Sequence, residues 1–437
     1  MAITVGGGLT ALGAREAEGR PVERTEGYGP LVPMGDLALP AGFSYKVISR
    51  QGMPMTDGNP TPGIFDGMGA FGGPNGNTVL IRNHENRREA GEAPVIVPPE
   101  YRYDQDPTYV AGDTKLVVDG NLDVVESFAI LGGTNVNCAG GQTPWGSWIT
   151  CEEVVARSAT GTPHGYVFEI NASAPGPVQA RPVTAAGRFI HEAVAWLDGI
   201  LYETEDKRDD SFFYRYIPET PPGSGGNLAD TTGVLQALKI KGVQNAVMDT
   251  FPKVGRPYEV EWVTIDDPNP AGDSADSPGA VGEQARARGA AIFDREEGIW
   301  VGGDKVYFDC TEGGRADLGQ VYEFDPGSET ITLIYQSKSV ATLENPDNMV
   351  IVPATGDIFL QEDSAGDQFV RGLTPEGRIY DFARTITNST EFCGGCFSPD
   401  GSAFFLNQQG DRGGLPNGPS GASAVTYAIT GPFQERS

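Results

Sequence analysis

A strand, a turn and a second strand ending in polar residues recur along this 437-residue chain. The clearest pair is NMVIVPATGDIFLQED at 348–363 and GCFSPDGSAFFLNQQG at 395–410, which place Pro353 and Pro399 in register. Repetition at this scale is the signature of an architecture assembled from similar units. Four earlier segments follow the same plan, so that six second strands end at or near Glu85, Glu153, Asp206, Glu312, Asp363 and Gln409.

The composition suits short strands joined by tight turns. The chain has 60 Gly and 33 Pro, residues that favour turn conformations. Segments with alternating apolar residues, such as QVYEFDPGSETITLIYQS and GLTPEGRIYDFART, lie between the repeated hairpins and are typical of outer strands. The pattern predicts an all-β fold, a six-bladed β-propeller with inserted loops and short helices over one face.

Two insertions interrupt the repeat between Asp206 and Glu312. The first, at 218–242, predicts a loop with a short helix, and the second, at 266–289, predicts an insertion over one face.

The chain start has some features of an export signal. Residues 1–25 include an apolar stretch and small residues in MAITVGGGLTALGAREAEG but no basic segment before them. We expect a remnant of a twin-arginine leader, with a disordered terminus as the alternative, followed by a single domain at 26–437. The expected location is periplasmic or extracellular.

The net charge of −28 excludes most nucleic-acid and anionic-membrane binders, which need basic surfaces. The acidity is explained by carboxylates that bind hard cations or by a solvating acidic surface, which would also suit a halophile. No apolar run reaches the roughly 18 residues of a spanning helix. We expect no stable membrane insertion, and a monomer is favoured.

The repeated hairpins predict one crowded acidic region. In an antiparallel hairpin the start of the first strand and the end of the second lie at the same edge. The starts are polar too, at Cys138, Glu192, Glu297, and Asp347 with Asn348. Carboxylates at this density repel each other unless cations neutralise them, and oxygen ligands suit Ca²⁺. The predicted ring comprises Glu85, Glu152, Glu153, Glu192, Glu203, Glu205, Asp206, Glu297, Glu362 and Asp363. The alternative for any one of them is a solvated loop acid.

Cys138 adds a donor that calcium does not need. A thiolate is a soft ligand that favours iron, zinc or copper, although a lone Cys is most often buried packing. Cys393 and Cys396 form a C-x-x-C that would bridge after export and is otherwise buried. Only three His are present, so a histidine-rich metal site is excluded. His84 and His191 are ligands or structural residues, and His164 is interpreted as a turn residue.

Arg295 precedes Glu297 by two positions. Beside the predicted acidic region, Arg295 would bind an anionic substrate group through two hydrogen bonds, or form an ion pair with its acidic neighbours. The chain has no G-x-S-x-G elbow, Walker loop or dinucleotide fingerprint.

Seven segments together resemble the PhoX-type alkaline phosphatases, including their shorter relatives. The likeness runs from about residue 26 to the C-terminus, and its C-x-G-G-x-T-P-W-G-x-W-x-T-C-E-E core is highly specific. The matching segments are RNHE at 82–85, NCAGGQTPWGSWITCEE at 137–153, RFIHEAVA at 188–195, FDREEGIW at 293–300, NPDN at 345–348, ED at 362–363 and CFSPDG at 396–401.

The resemblance implies a six-bladed propeller whose mouth holds a pair of ferric ions and three calcium ions around a bridging oxygen. It also implies hydrolysis of phosphomonoesters after twin-arginine export. Carried over by motif, Cys138 and Glu153 would be iron ligands, Glu192 a further ligand and Glu297 a metal ligand, and Arg295 would bind the phosphoryl group. The other residues in motifs around the metals are Glu85, Asn83, Asp347, Asn348, Glu362 and Asp363.

The resulting hypothesis is a metal-dependent phosphomonoesterase that uses Fe³⁺ and Ca²⁺, with Arg295, Cys138 and Glu153 at the reacting centre. A Ca²⁺-dependent propeller lactonase or phosphotriesterase is the alternative enzyme, and it would not need Cys138. A non-enzymatic scaffold stabilised by calcium is the third hypothesis.

Overall fold

The computed structural model describes residues 24–87, 93–222, 227–410, 422–434 and 436. The predicted leader, residues 1–25, lies outside the described residues except for Arg24 and Thr25. No described helix is long and apolar enough to cross a membrane.

Short antiparallel strands account for nearly all regular structure, as the many turn residues predict. The strands of the first third of the chain are β1 (Leu31–Pro33), β2 (Leu37–Pro40), β3 (Ser44–Arg50), β4 (Phe65–Gly72), β5 (Thr78–His84), β6 (Ala111–Val118), β7 (Val124–Thr134), β8 (Asn137–Gln142) and β9 (Ser147–Glu152).

The middle of the chain adds eight strands and the one α-helix among the described residues. They are β10 (Ala156–Arg157), β11 (Pro163–His164), β12 (Val167–Asn171), β13 (His191–Leu197), β14 (Ile200–Glu205), β15 (Tyr214–Pro218), β16 (Gly233–Ile240), β17 (Pro257–Thr264) and α1 (Val281–Ala287).

The last third continues the alternation of strands and turns. Its strands are β18 (Glu296–Gly302), β19 (Lys305–Cys310), β20 (Gln320–Asp325), β21 (Thr330–Gln336), β22 (Pro346–Ile351), β23 (Ile358–Glu362), β24 (Phe369–Leu373), β25 (Ile379–Thr385), β26 (Phe392–Phe397), β27 (Ala403–Gln408) and β28 (Val425–Thr430).

The first strand of each repeated hairpin lies innermost. The inner strands β4, β8, β13, β18, β22 and β26 pack against one another in that order, and β26 packs back against β4. The other strands follow outward in antiparallel order, such as β4-β5-β6-β7 and β8-β9-β12. The fold is therefore all-β and propeller-like, in agreement with the sequence. Because β17 pairs with β21, the third and fourth units share one nine-stranded sheet, and the count of six separate blades stays a prediction.

An N-terminal strand completes the unit that contains the C-terminal strand. β3 pairs antiparallel with β28, from Ser44 opposite Thr430 to Arg50 opposite Val425. β2 pairs with β25 in the preceding unit. Segments from both ends of the described chain are thus hydrogen-bonded into the same ring of sheets.

The segment at 218–242, predicted as a loop with a short helix, contains a 3-10 helix at Leu228–Asp230, but its apolar part is a strand. Residues 233–240, GVLQALKI, form β16, which pairs with β15 on one side and β17 on the other. Leu235, Ala237 and Leu238 are buried there. Sheet neighbours on both sides outweigh the helical propensity of a short Leu- and Ala-containing segment. The helix α1 lies instead in the second insertion.

The core lies between neighbouring sheets and is rich in aromatic rings. Phe213 stacks on Phe308 with ring centroids 4.4 Å apart, and Phe308 stacks on Tyr322 at 5.2 Å. A second aromatic group joins Tyr28 and Phe43, near the chain start, to Phe382. Such pairs add about 0.5–1.5 kcal/mol beyond the area they bury. The packing fixes the angles between the sheets and so the positions of the inner strand ends.

Candidate metal centre

One hydrogen bond closes every inner hairpin at the same edge. The backbone N–H that follows the second strand donates to the carbonyl of the residue before the first strand, with N···O distances of 2.9 to 3.2 Å. This hydrogen bond holds the start of the first strand beside the end of the second, as hairpin geometry predicts. The pairs are Glu85 with Ile64, Glu153 with Val136, Asp206 with Ile190, Thr311 with Arg295, Asp363 with Asn345 and Gln409 with Glu391.

A register shift occurs near the start of each inner strand, at the edge where the six hairpins close. This edge is called the mouth below. In five hairpins two inner-strand residues face one residue of the second strand, which is the geometry of a β-bulge. In the sixth the shift follows one residue later. The second residues of the six inner strands are Asp66, Cys138, Glu192, Glu297, Asp347 and Cys393.

Four residues directly before inner strands have positive φ angles. They are Ile64 at 49°, Val136 at 53°, Arg295 at 51° and Asn345 at 48°. The left-handed region is unfavourable for β-branched residues such as Ile and Val, and each such residue costs of order 1–3 kcal/mol. Strain of this kind concentrates where surrounding contacts hold a functional geometry. Here it turns the chain at the entry to the bulges.

The ligand-type atoms of these residues gather into four overlapping groups. Within each group of three, all atoms lie within 4.8 Å of one another. Asp66 and Cys138 are each shared by two groups, and so is Glu192, so the groups form one connected centre. The groups are Asp66 with Glu85 and Cys138; Asp66 with Glu391 and Cys393; Cys138 with Glu153 and Glu192; and Glu192 with Glu297 and Asp347.

Glu192 lies at the junction of two of these groups. Its side chain is fully buried, neither carboxylate oxygen accepts a hydrogen bond from an N–H or O–H group of the described residues, and the Cys138 thiol is within reach only as a weak donor. Burial, followed by the nearby Asp347 charge, raises the pKa of Glu192 well above its usual value. Burial likewise raises the pKa values of Glu297 and Asp347. A buried acid without a donor is costly unless a cation or a proton compensates it.

Burial also raises the pKa of Cys138, and the Asp66 charge adds to the effect. A metal ion reverses this balance because a coordinated thiol is deprotonated. The residues present therefore fit bound multivalent cations: carboxylates supply hard oxygen donors, and the thiols supply soft ones.

Two arginines lie at the partly exposed rim of the centre. Arg295 donates two hydrogen bonds to Asp206, at 2.8 Å each, and one to Glu297 at 2.9 Å. Arg87 lies 2.6 Å from a Glu85 oxygen and 3.4 Å from a Glu153 oxygen. Burial alone would lower the pKa of Arg295, but the Glu297 and Asp206 carboxylates outweigh it and raise the pKa. Both side chains stay partly exposed, at 27% and 30%.

Some predicted ligands use their polar atoms for other contacts. The Asn83 amide donates to the carbonyls of Cys138 and Ala139, and its oxygen accepts from Trp148. Asn348 donates to Asp347 and accepts from the N–H of Gly394 at 2.8 Å. The Asn348 amide therefore links the inner strands β22 and β26, whereas the Asn83 amide links β5 to the inner strand β8, and both position residues of the centre.

The side chains of Glu362 and Asp363 lie in different environments at the end of β23. Glu362 is buried and accepts from Arg371 Nε at 2.8 Å and from the N–H of Glu344 at 2.9 Å, outside the four groups. Asp363 is exposed at the rim, and its carboxyl lies within hydrogen-bonding reach of Glu391.

His164 is a buried bridge between two carboxylates, so the interpretation as a turn residue is wrong. Its Nδ1 lies 2.6 Å from Glu152 and its Nε2 lies 3.1 Å from Asp104, while the Tyr109 ring stacks on the imidazole. Burial alone would lower the pKa of His164, but the Glu152 and Asp104 contacts raise it above its usual value. The bridge fixes Glu152, the residue directly before Glu153.

The other two histidines contact protein groups and belong to none of the four ligand groups. His84 contacts the Gly63 carbonyl and the Thr114 hydroxyl, each at 2.8 Å, and burial lowers its pKa. His191 Nδ1 lies 3.3 Å from Glu203, and its ring packs on Phe189.

Sequence reasoning missed Asp66, Glu391, Cys393 and Arg87 as members of the centre. A signal for two of them was present: in DG, CA, EA, EG, DN and CG, an acid or Cys precedes a small residue or Asn at the start of each inner strand. Arg87 follows the first hairpin and gave no such pattern. All five cysteines are free thiols in this structure, including Cys393 and Cys396.

The fold and the centre define a propeller-like protein with a buried, acidic, thiol-containing mouth. A family model described as alkaline phosphatase PhoX matches residues 26–127 and 105–411. The chain belongs to the PhoX alkaline phosphatase family, which confirms the resemblance seen in the sequence and indicates a phosphatase.

Comparison with one solved structure supports the fold, and two others are more distantly similar. The structure of Pseudomonas fluorescens PhoX in complex with vanadate, a transition state analogue, is 18% identical, with 94% of this chain and 98% of that chain covered and a TM-score of 0.69. The WD40 β-propeller domain of Doa1 is 8% identical, with 88% and 97% covered and a TM-score of 0.40. A putative glucose dehydrogenase from Thermus thermophilus is 10% identical, with 89% and 100% covered and a TM-score of 0.39. A comparison with curated protein sequences gave no match.

Proposed function

We propose that the protein is a metal-dependent phosphatase that hydrolyses phosphomonoesters at the mouth of a six-bladed propeller. The observation that carries this proposal is the convergence of the second residues of all six inner strands into one connected group of ligands. The common closing hydrogen bond of the six hairpins favours six equivalent blades. We take residues 26–437 as one domain and, by family membership, expect export to the periplasm or beyond the cell.

Glu85, Glu153, Glu192, Glu297 and Asp347 would hold the cations together with Cys138. Thiolate and carboxylate suit iron at the Cys138 side, whereas the group of Glu192, Glu297 and Asp347 offers only oxygen and suits calcium. Bound cations would supply Lewis-acid polarisation of a phosphoryl group. Asn83, Asn348 and Glu362 would act as positioning residues, and Asp363 would lie at the entrance.

Arg295 would bind the phosphoryl oxygens. Its guanidinium is held by Asp206 and Glu297 at the rim, so its orientation is set before substrate arrives. Because Nε and Nη2 already donate to these carboxylates, the contact to phosphate would come from Nη1, which lies 3.3 Å from a Glu312 oxygen. The contacts to phosphate would strengthen as negative charge develops on the transferred group.

The test uses protein purified without chelator, with its iron and calcium content measured. We expect hydrolysis of p-nitrophenyl phosphate to exceed hydrolysis of a phosphotriester or a lactone. We expect Arg295→Lys to lower kcat/KM by about 100-fold, as for loss of one oxyanion-binding donor. Arg208→Lys is the matched control, because Arg208 pairs with Glu312, as Arg295 does at 3.3 Å, but is 63% exposed. Preference for the triester or lactone, with unchanged rates in Cys138→Ala, would instead favour the calcium-dependent alternative.

A further inference from the structure

We propose that Cys393 is a second thiolate ligand, so that the centre binds transition-metal ions on both sides of Asp66. This inference deepens the proposed function and rests on it, because it assigns a second soft-metal position within the same mouth. The occupant would be a first-row transition metal such as iron or zinc, for which sulfur is a better ligand than it is for calcium.

Cys393 holds the same strand position as Cys138, although Cys393 pairs with Asn407 and the bulge of its strand follows it. Each is the second residue of its inner strand, and their strands, β26 and β8, lie on either side of β4. β4 carries Asp66 at the same position. The two thiols therefore flank one carboxylate, and Asp66 belongs to a ligand group with each of them.

A second observation marks the Cys393 side as a ligand site. Asp66 is fully buried, and its Oδ1 has no hydrogen-bond partner among the described residues. Its other oxygen accepts from the Gln409 amide at 3.2 Å. The same amide nitrogen contacts Glu391 at 2.6 Å and Glu85 at 2.7 Å. Gln409 thus holds Glu85, from the ligand group of Cys138, and Glu391, from the ligand group of Cys393. It leaves one oxygen of Asp66 available for a cation.

The dimensions of the group fit coordination. The Cys393 sulfur and one oxygen each from Asp66 and Glu391 lie within 4.8 Å of one another. Metal–sulfur bonds of about 2.3 Å and metal–oxygen bonds of about 2.1 Å span about 4.4 Å when opposed, so small side-chain shifts suffice. The thiol at present donates to the Phe65 carbonyl at 3.1 Å. Metal binding would deprotonate the thiol and replace this hydrogen bond.

Cys396 provides a matched control on the same strand. It is also buried, but it packs in an apolar cluster with Met68 and Phe405 and belongs to none of the four ligand groups.

The probe is Co²⁺, added to the full-length protein after its native metals are removed. Charge transfer from thiolate to cobalt absorbs in the near ultraviolet, and the intensity of this band is proportional to the number of bound thiolates. We expect Cys393→Ser and Cys138→Ser each to lose about half of this band, the double variant to lose all of it, and Cys396→Ser to retain it. X-ray absorption of the cobalt protein with both native thiols should detect sulfur at both metal positions.

An unchanged band in Cys393→Ser, or complete loss of the band in Cys138→Ser alone, would overturn the proposal. Circular dichroism and melting of each variant separate misfolding from ligand loss, and the X-ray absorption measurement needs no variant. Phosphatase activity is a separate readout. A two-thiolate spectrum without phosphomonoesterase activity would reject only the proposed function, whereas activity with a one-thiolate spectrum would reject only the role of Cys393.

Discussion

Glu192 shows at the scale of one residue why the centre needs cations. It is fully buried and accepts no N–H or O–H hydrogen bond from the described residues, and a Glu192 oxygen lies within 4.8 Å of ligand atoms of Cys138, Glu153, Glu297 and Asp347. Each additional negative charge in this space raises the cost of the others. The residue is therefore unfavourable for the metal-free fold and favourable for metal binding.

Glu192→Gln should accordingly have opposite effects in the two forms of the protein. In metal-free protein the substitution removes a buried carboxyl that must either stay charged or take up a proton, and it adds an amide donor beside the remaining carboxylates, so we expect the free energy of unfolding to rise by about 1–3 kcal/mol. In metal-loaded protein it removes a ligand, so we expect lower metal content and lower phosphatase activity. Chemical denaturation with and without chelator measures the first effect, and elemental analysis measures the second.

Glu100→Gln is the control, because Glu100 is exposed and belongs to none of the ligand groups. Glu100→Gln should change neither the free energy of unfolding nor the metal content. A Glu192→Gln variant that keeps its full metal content, or that loses stability without metal, would contradict the role given to Glu192.

His164 gives a stability contribution whose sign with pH follows from its contacts. Its pKa is raised in the folded state, so protons bind the folded protein more tightly than the unfolded chain. The contribution is fully present below the unfolded-state pKa of about 6.5 and is lost as pH rises through the higher folded-state value. Removing one partner of a buried ion pair costs about 3–5 kcal/mol.

We therefore expect His164→Gln to destabilise the protein more near pH 6 than near pH 9, as measured by urea denaturation at both values. His84→Gln is the contrasting variant. Burial lowers the pKa of His84, so its contribution is present above about pH 6.5 and is lost as pH falls. The same pH trend in both variants would argue against a charged bridge at His164.

The repeated hairpin was predictable from sequence because its second strand ends in polar residues and its turns contain Gly, Pro and Asp. The bulge was not, since a register shift depends on the partner strand and leaves only a weak local pattern. Cys393 illustrates the consequence. Its motif CGG looks unlike EAV or EGI, although it occupies the same place in its strand. β16 was misjudged for a related reason, because its strand neighbours are distant in sequence.

Close packing between neighbouring inner strands explains the Gly or Ala that follows five of the six ligand-type residues. A Cβ atom built on Gly298 would lie 2.7 Å from both the carbonyl oxygen of Asp347 and the nitrogen of Met349. These are backbone atoms of the next inner strand, so they cannot rotate away. The absence of a side chain at Gly298 therefore sets the distance between Glu297 and Asp347.

Gly298→Ala should consequently destabilise the protein by about 1–3 kcal/mol and lower calcium binding at the all-oxygen group. Gly72→Ala is the matched control, because Gly72 also lies in an inner strand and a Cβ there meets nothing within 4 Å. Urea denaturation and calcium titration measure the two effects. Equal stabilities for the two variants would show that the neighbouring strand accommodates the methyl group and that the spacing is not tightly set.

At the scale of the whole molecule, two features hold the ring of sheets together. One is the pairing of β3 with β28, which joins an N-terminal segment to the last unit. The other is the centre itself, to which all six inner strands contribute a ligand-type residue. A cation bound there connects strands far apart in sequence, and its loss leaves buried carboxylates facing one another in a protein of net charge −28.

Chelation should therefore lower the stability of the whole fold rather than loosen one loop. A ligand present at about 1,000 times its dissociation constant adds about 4 kcal/mol to the stability of the form that binds it, so we expect removal of the metals to lower Tm by several degrees. Calorimetry before and after chelation, followed by return of calcium and iron separately, measures the shift and assigns it to an ion. Glu192→Gln should reduce this decrease in Tm, because the variant binds less metal and has one fewer buried carboxylate to repel the others once the metal is gone. Glu100→Gln should leave the decrease unchanged. A Tm unaffected by chelation, in protein whose metals are shown to be gone, would mean that protons alone compensate the buried acids and that the mouth does not hold the ring together.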